Sequence, residues 1–259
     1  MNMNRLNIAL NSQFQRSKRL DTDQLDFGYV LLGTGRQALQ IMGSNIAYSN
    51  QRAFTWTGPY GCGKSSLALL LTSLVGTGSE HARALDLIGR DDEILAGFAS
   101  NLGWRVFRLV GRQGNLMEDL ASLLKCRRTE KSIVTSLARQ SEALTGNDGV
   151  LLIIDELGKY LEADCASANT YLLQELAEFA CRASGKIVLV GILHQAMDAY
   201  AARMPLAVRD EWTKVQGRFI DIPLAATTDE TLELLSKAIS RPEKLSINQT
   251  FVAEVELVS

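Results

Sequence analysis

The sequence lacks both a long apolar run and an excess of charge of one sign. No stretch of its 259 residues approaches the roughly eighteen uninterrupted apolar residues of a spanning helix, and residues 1–5 lack the apolar centre of a secretion signal. Because 27 Lys and Arg residues face 29 Asp and Glu residues, the net charge is only −2. We therefore expect a cytoplasmic protein without a membrane partner, and no overall basic field indicates binding to nucleic acid.

Cysteine is also scarce, and its positions exclude a disulfide scaffold and a cysteine-rich zinc site. The 4 cysteines are Cys62, Cys126, Cys165 and Cys181, and they share no metal-ligand spacing. This usage is typical of a reducing compartment. The sequence has no internal repeat or low-complexity tract, and its two basic clusters, 16–19 and 125–128, leave nucleic acid binding open without indicating it.

One segment, Gly58–Ser65, fits the pattern GxxxxGK[ST], in which a glycine-rich loop binds phosphate groups. Residues 52–57 before it predict a β-strand and residues 66–74 after it predict a helix, which is the order such a loop requires. Lys64 is expected to reach the β- and γ-phosphates of ATP, and Ser65 to hold Mg²⁺. The full set of predicted phosphate contacts is Gly58, Pro59, Tyr60, Gly61, Cys62, Gly63, Lys64, Ser65 and Ser66.

A second segment places two carboxylates at the end of a strongly apolar strand. Residues 150–154 are all aliphatic, as in a parallel strand that is buried on both faces, and Asp155 and Glu156 follow at its carboxyl end. Ligands bind at that edge of open α/β sheets. Asp155 is expected to hold Mg²⁺ through a water molecule, and Glu156 to deprotonate the water that attacks the γ-phosphate. The alternative is a core strand followed by a solvated acidic turn.

The periodicity of the remaining sequence predicts an α/β protein. Apolar strands are expected at 104–110, 186–193 and 218–222, and helices near 37–42, 85–98, 116–124, 133–144, 170–183 and 229–239. Residues 1–50 are predicted to form a lead-in segment, in which Tyr29 and Val30 either cover the adenine base or pack in the core. Both alternatives remain open at this point.

Together, the Gly58–Ser65 loop, the Asp155–Glu156 pair and the order of the predicted strands resemble the AAA+ class of P-loop ATPases over roughly residues 25–240. The resemblance implies a three-layer α/β fold with a parallel five-stranded sheet in the order 5-1-4-3-2. It also implies an ATPase core at 51–225 and the start of a truncated helical lid at 226–259.

The same resemblance assigns roles to two further polar residues. His194 follows the fourth strand and corresponds to the first sensor of that class, which contacts the γ-phosphate or the attacking water, with Gln195 as its substitute. Arg218 resembles the arginine finger that enters a neighbouring subunit's nucleotide site, and Arg209 is the second choice. A homo-oligomer or larger complex through Arg218 is therefore implied. A structural role for His194, and a surface position for Arg218 before an edge strand, remain open.

A closer resemblance is to large, poorly characterised bacterial ATP-binding proteins, several of which occur among anti-phage defence genes. It is carried by Gly58–Gly61, Asp155–Glu162, Leu193–Gln195 and Glu211–Phe219. Such proteins continue for hundreds of residues, whereas a short segment follows the fifth strand here. Most of the lid that carries the second sensor arginine is therefore expected to be missing.

The sequence thus predicts an ATP-binding and ATP-hydrolysing module that couples nucleotide state to conformation or assembly, acting on an effector protein that the sequence does not identify. A nucleotide-dependent signalling switch with little turnover is the alternative. A small-molecule kinase is disfavoured because Glu156 positions a base for water and no arginine-rich lid is evident. A GTPase and a transporter-type ATPase are disfavoured because the Asn-Lys-x-Asp and Leu-Ser-Gly-Gly-Gln motifs are absent.

Overall fold

The computed structural model of the chain describes residues 9–10, 18–25, 28–163, 166–183, 185–201 and 206–240. The chain divides into two compact units. Residues 18–227 form one, and residues 1–17 together with 228–259 form the other. The nucleotide-binding motifs that the sequence predicts all lie in the first unit.

A parallel five-stranded sheet forms the centre of the first unit. Its strands are β1 (Ala53–Thr57), β2 (Arg105–Val110), β3 (Val150–Asp155), β4 (Ile187–Leu193) and β5 (Ile220–Pro223). Their spatial order is β2-β3-β4-β1-β5, and every neighbouring pair is parallel. This confirms the predicted order 5-1-4-3-2, which is that of a P-loop nucleoside triphosphatase fold.

Helices cover both faces of the sheet and complete the three predicted layers. On one face lie α1 (Gly33–Ser44), which continues as a π-helical turn (Asn45–Ser49), α2 (Lys64–Leu74), α3 (Gly78–Ile88) and α4 (Asp92–Phe98). On the other lie α5 (Leu116–Leu123), α6 (Glu130–Glu142), α7 (Gly158–Leu161), α8 (Ala166–Arg182), α9 (Met197–Ala201) and α10 (Leu206–Gln216).

The two central strands explain why the sequence shows continuous aliphatic runs there. Every residue of β3 and β4 is buried. Along β3, Leu151 and Ile153 enter one hydrophobic core, and Leu152 and Ile154 enter the core on the opposite face. Each such side chain contributes about 1.5–3 kcal/mol through burial, so both faces favour apolar residues. Because the strands are parallel, β1, β3 and β4 all deliver the residues that follow them to one edge.

Two details differ from the sequence prediction. The helical segment expected through residues 85–98 is two helices, because Gly89 ends α3 in a left-handed conformation (φ 63°) and Asp91 begins α4. The Asp91 side chain accepts hydrogen bonds from the backbone N–H groups of Glu93 and Ile94, which is a typical N-cap. Helix α10 was not predicted, although it buries Trp212 and Val215 in the core.

The second unit contains short elements from both ends of the chain. Strands Ala9–Leu10 and Ile239–Ser240 pair antiparallel, and α11 (Thr228–Ala238) corresponds to the helix predicted at 229–239. Residues 241–259, which hold the rest of the predicted lid, lie outside the described residues. The predicted domain boundaries near residues 50 and 225 stay predictions. Within the described part of the chain, no helix has both the length and the apolar character needed to span a bilayer.

Candidate functional site

The loop between β1 and α2 has the backbone that a phosphate-binding loop needs. Gly61 (φ 81°) and Gly63 (φ 86°) adopt left-handed conformations that other residues rarely tolerate. A Cβ atom on either glycine would meet open space, so backbone conformation, not crowding, calls for glycine at both positions. Helix α2 then begins at Lys64 without a side-chain N-cap. The N–H groups of its first turn are thus available to an anion.

Lys64 is buried within this loop. Only 5% of the residue is exposed, and its ammonium donates hydrogen bonds to the carbonyl oxygens of Gly58 (2.6 Å) and Pro59 (2.7 Å). Gly58 itself abuts the chain after β5, where a side chain would overlap the carbonyl oxygen of Leu224. The close approach of Gly58 to Leu224 therefore fixes the start of the loop, and hydrogen bonds to the loop's own carbonyl groups hold the side chain of Lys64.

Ser65 and Asp155 meet directly, although they are far apart in the sequence. The Ser65 hydroxyl donates a hydrogen bond to Asp155 Oδ2 at 2.7 Å, and Asp155 Oδ1 accepts one from the Glu156 backbone N–H at 2.8 Å. Burial raises the pKa of the Asp155 carboxyl, and the hydrogen bond from Ser65 opposes that rise. A hydroxyl and a carboxylate in contact are oxygen ligands of the kind Mg²⁺ prefers.

These two residues fit a magnesium ion that is completed by water and phosphate. Among the described residues, no group of three or more His, Cys, Asp or Glu side chains forms an all-protein metal cage. Magnesium in nucleotide sites keeps several waters and takes one or two protein ligands plus phosphate oxygens. Ser65 and Asp155 supply that smaller set at the N-terminus of α2.

Glu156 follows β3 in a strained backbone conformation. Its φ of 52° is left-handed, which costs a non-glycine residue about 1–2 kcal/mol. Its carboxylate forms an ion pair with the ammonium of Lys159, and this contact raises the pKa of Lys159. Backbone strain of this kind is concentrated at functional sites. Glu156 is thus aimed by a tight turn toward the same sheet edge as Asp155.

His194 lies at the end of β4 and stacks on Tyr60 of the phosphate loop. The ring centroids are 3.6 Å apart and the planes differ by 22°. Both ring nitrogens of His194 are buried and make no hydrogen bond with the described residues. Burial lowers the pKa of the imidazole, and the positive charge of Lys64 adds to this effect. The sequence did not predict the stacking of Tyr60 on His194.

Arg218 lies at the amino ends of the strands, whereas the phosphate loop lies at their carboxyl ends. It precedes β5, and its backbone carbonyl accepts a hydrogen bond from Gln51, which precedes β1. Its guanidinium donates to the Glu178 carboxylate (Nε to Oε1, 2.6 Å) and to the Lys214 carbonyl (2.7 Å). The structure therefore does not bring Arg218 to the phosphate loop of its own chain. Arg209, the second choice, is exposed on α10. An action in trans stays a prediction for both.

The segment before α1 lies against α2. Tyr29 and Val30 are half-buried, and Tyr29 packs against the core that contains Leu67 of α2. Burial raises the pKa of the Tyr29 hydroxyl. In the same segment, the Leu31 side chain packs beside Leu67 over Gly35. Core contacts are thus observed for Tyr29, and a contact of Tyr29 or Val30 with adenine stays a prediction.

Comparisons with known proteins give structural neighbours only. No family model and no curated protein matches the chain. Cdc6p from Pyrobaculum aerophilum is 14% identical, with 90% of this chain and 55% of that chain covered and a TM-score of 0.44. The Aeropyrum pernix ORC2 protein is 15% identical, covering 82% and 54%, with a TM-score of 0.49.

A third neighbour is domain III of the Thermotoga maritima replication initiation protein DnaA, which is 13% identical, covering 88% of this chain and 74% of that domain, with a TM-score of 0.40. The chain spans 55% of the Pyrobaculum protein and 54% of the Aeropyrum ORC2 protein. Its own strand order and the loop between β1 and α2 give the chain the P-loop nucleoside triphosphatase fold.

Proposed function

We propose that this chain is a magnesium-dependent module of the AAA+ class that binds and hydrolyses ATP and couples nucleotide state to conformation or assembly. The observation that carries the proposal is the 2.7 Å hydrogen bond between Ser65 and Asp155, which joins residues 90 positions apart at the N-terminus of α2. This contact joins the two predicted metal ligands, of which Ser65 follows the buried Lys64 and Asp155 precedes the predicted base, Glu156. A core strand with a merely solvated acidic turn would not require this contact.

Each residue of the site has a distinct task in this proposal. Lys64 and the N-terminus of α2 bind the phosphates, while Ser65 and Asp155 hold Mg²⁺, which would offset phosphate charge. Glu156 accepts a proton from the attacking water while the water oxygen forms a bond to the γ-phosphorus. The bond between the γ-phosphorus and the oxygen that bridges it to the β-phosphate breaks. The products are ADP and inorganic phosphate. His194, whose ring nitrogens make no hydrogen bond with any described residue, contacts the γ-phosphate or the water.

The dependence of ATP binding on Mg²⁺ tests this assignment. We expect Mg²⁺ to strengthen ATP binding by the unmodified protein about tenfold or more, and by less than about twofold in D155N, because the metal loses its carboxylate ligand. Titration calorimetry with and without Mg²⁺ measures both affinities. The control is D86N, which removes an exposed carboxylate on α3 and should retain the full effect. An undiminished magnesium effect in D155N would exclude Asp155 as a ligand.

A second candidate function is a nucleotide-dependent switch with little turnover. Two ion pairs favour it, because Glu156 is paired with Lys159 and Arg218 with Glu178. Both groups that would accelerate hydrolysis are thus engaged within the chain. Slow steady-state turnover, combined with a large change in sedimentation on adding ATP, would support the switch over the efficient hydrolase.

The biological setting that we propose is bacterial anti-phage defence, acting through an effector protein. This setting rests on the sequence resemblance carried by Asp155–Glu162 and Glu211–Phe219. If it is right, plaque counts should rise on cells whose only copy carries K64A. Equal counts on cells with and without the intact gene would remove the defence role and leave the biochemical proposal untouched.

A further inference from the structure

Lys159 is a charged residue at the site that has no task in the reaction described above. It lies in α7, and its ammonium is ion-paired with Oε2 of Glu156. The backbone N–H of Lys159 also donates to the Glu156 carbonyl at 3.0 Å, so one tight turn holds both residues. The ion pair engages the carboxylate that must accept a proton from water.

The ammonium of Lys159 has other neighbours within electrostatic reach. Tyr60 of the phosphate loop and Asp155 beside Ser65 lie near enough that their charges add to the rise in the pKa of Lys159. Its side chain is 46% exposed, against 28% for Glu156, so it can change partners without disturbing the core. A point charge on a flexible four-carbon stem is suited to such an exchange. A terminal phosphate bound at the loop would offer the ammonium a second anion.

We propose that Lys159 is a nucleotide-responsive positioning residue: it pairs with the Glu156 carboxylate and transfers to the γ-phosphate of a bound nucleoside triphosphate, which frees Glu156 to act as the base. This inference rests on the proposed function. It implies discrimination between triphosphate and diphosphate, because only a triphosphate has a γ-phosphate to which Lys159 can transfer. A diphosphate leaves the ion pair in place.

A double-mutant cycle on nucleotide affinity tests this exchange. The variants are E156Q, K159M and the pair together, titrated with ADP and with the non-hydrolysable β,γ-imido analogue of ATP in Mg²⁺. Because E156Q releases the ammonium, it should strengthen analogue binding about fivefold or more when Lys159 is present and less than about twofold in the K159M background. Affinity for ADP should change less than about twofold throughout.

Simple charge repulsion gives a different pattern. If Glu156 only repels the nucleotide, E156Q strengthens binding equally or more in the K159M background, where the carboxylate charge is not offset. That result, or equal gains for the analogue and ADP, overturns the proposal. The control is K237M, which breaks the Lys237–Glu233 ion pair of 2.6 Å on α11 and should leave both affinities unchanged.

The outcome also separates this inference from the proposed function. If the unmodified protein binds neither nucleotide, the proposed function itself fails. If it binds both, K64A weakens binding, and the cycle shows no coupling, only the role of Lys159 is removed.

Discussion

Glu156 is the residue on which hydrolysis depends in this account. It stands at the carboxyl end of a buried strand, it adopts a left-handed backbone conformation, and it lies next to the Ser65–Asp155 pair. These features distinguish it from an acidic residue in a solvated turn. They place a carboxylate beside the two predicted metal ligands, where the proposed mechanism needs a proton acceptor.

We expect E156Q to bind ATP while its turnover falls by roughly 10²-fold or more, because glutamine keeps the shape and hydrogen bonding but cannot accept the proton. Phosphate release measures turnover, and calorimetry measures binding. The control variant E142Q removes an exposed carboxylate on α6 and should hydrolyse ATP at the unmodified rate. Lost binding together with unchanged turnover would mean that the roles of Asp155 and Glu156 are misassigned.

Individual site residues could be predicted from the sequence where they belong to a motif of fixed spacing or follow a recognisable strand. Lys64 and Ser65 follow from the loop pattern, and Asp155 and Glu156 follow from the end of an aliphatic run. The stacking of Tyr60 on His194 was not predicted, because the order of the strands brings the two loops together but does not give the contacts between their side chains. Lys159 could have been found from its spacing of three residues after Glu156, which favours ion pairs in helical turns.

Among the structural elements, the start of β3 depends on a buried carboxylate that the sequence analysis missed. Asp148 is 6% exposed, and it accepts hydrogen bonds from the N–H groups of Asn101 (2.7 Å) and Leu102 (2.8 Å) and from the Ser100 hydroxyl (3.2 Å). Burial alone would raise the pKa of Asp148, but these hydrogen bonds together lower it. The carboxylate thereby connects the turn before β2 to the start of β3, the strand that leads to Asp155 and Glu156.

We expect D148N to lower the free energy of unfolding at pH 7 by about 1–3 kcal/mol. The asparagine side chain replaces one acceptor oxygen by an NH₂ donor, which leaves a buried N–H group without its acceptor. Folding lowers the pKa of Asp148, so the ionised carboxylate stabilises the folded state fully when the pH is above its pKa in the unfolded chain, about 3.9. This stabilisation is lost as the pH falls through the lower pKa of the folded state. Urea denaturation should therefore show a smaller difference in unfolding free energy between D148N and the unmodified protein at pH 3 than at pH 7.

The matched control is D86N on the surface of α3, where a change within about 0.5 kcal/mol is expected. A loss for D148N that is no larger than for D86N would show that the hydrogen bonds of Asp148 do not stabilise this turn.

Elements were predictable where burial imposes a clear pattern. The strands β3 and β4 could be predicted from their continuous aliphatic sequence, because helices cover both faces of the sheet and every residue of these strands is buried. Helix α10 was missed because the two residues known to be buried in it, Trp212 and Val215, are surrounded by charged and polar positions in the sequence. The break between α3 and α4 was missed, although Gly89 and the charged residues 90–93 mark it, because apolar residues resume at Ile94.

At the scale of the whole molecule, the order of the strands came from the family resemblance, since periodicity does not tell which strands are neighbours. The structure confirms that order and thereby places Arg218 at the edge of the sheet opposite the phosphate loop. From there it cannot complete its own site. Entry of Arg218 into the nucleotide site of a neighbouring copy, where it would stabilise charge in the transition state, stays a prediction.

We expect R218A to lower turnover about 10³-fold if the finger is fully engaged, with little loss of ATP affinity, and activity per chain to rise with protein concentration. Mixing R218A with K64A should restore activity, because mixed interfaces combine an intact loop with an intact arginine. The control is E178Q, which releases Arg218 from its carboxylate partner and should not lower turnover. A chain that is monomeric at all concentrations, or inactive mixtures, would contradict a finger in trans and favour the low-turnover switch.

The proposed function depends above all on phosphate binding by Lys64 in the loop between β1 and α2. Titration calorimetry of Mg²⁺ and ATP into the unmodified protein, K64A and the control K131A tests it most directly, since Lys131 is an exposed lysine on α6. We expect K131A to bind ATP as the unmodified protein does and K64A to bind it at least about tenfold more weakly, because the loop loses its only charged phosphate ligand. Equal affinity of K64A and the unmodified protein would contradict the account.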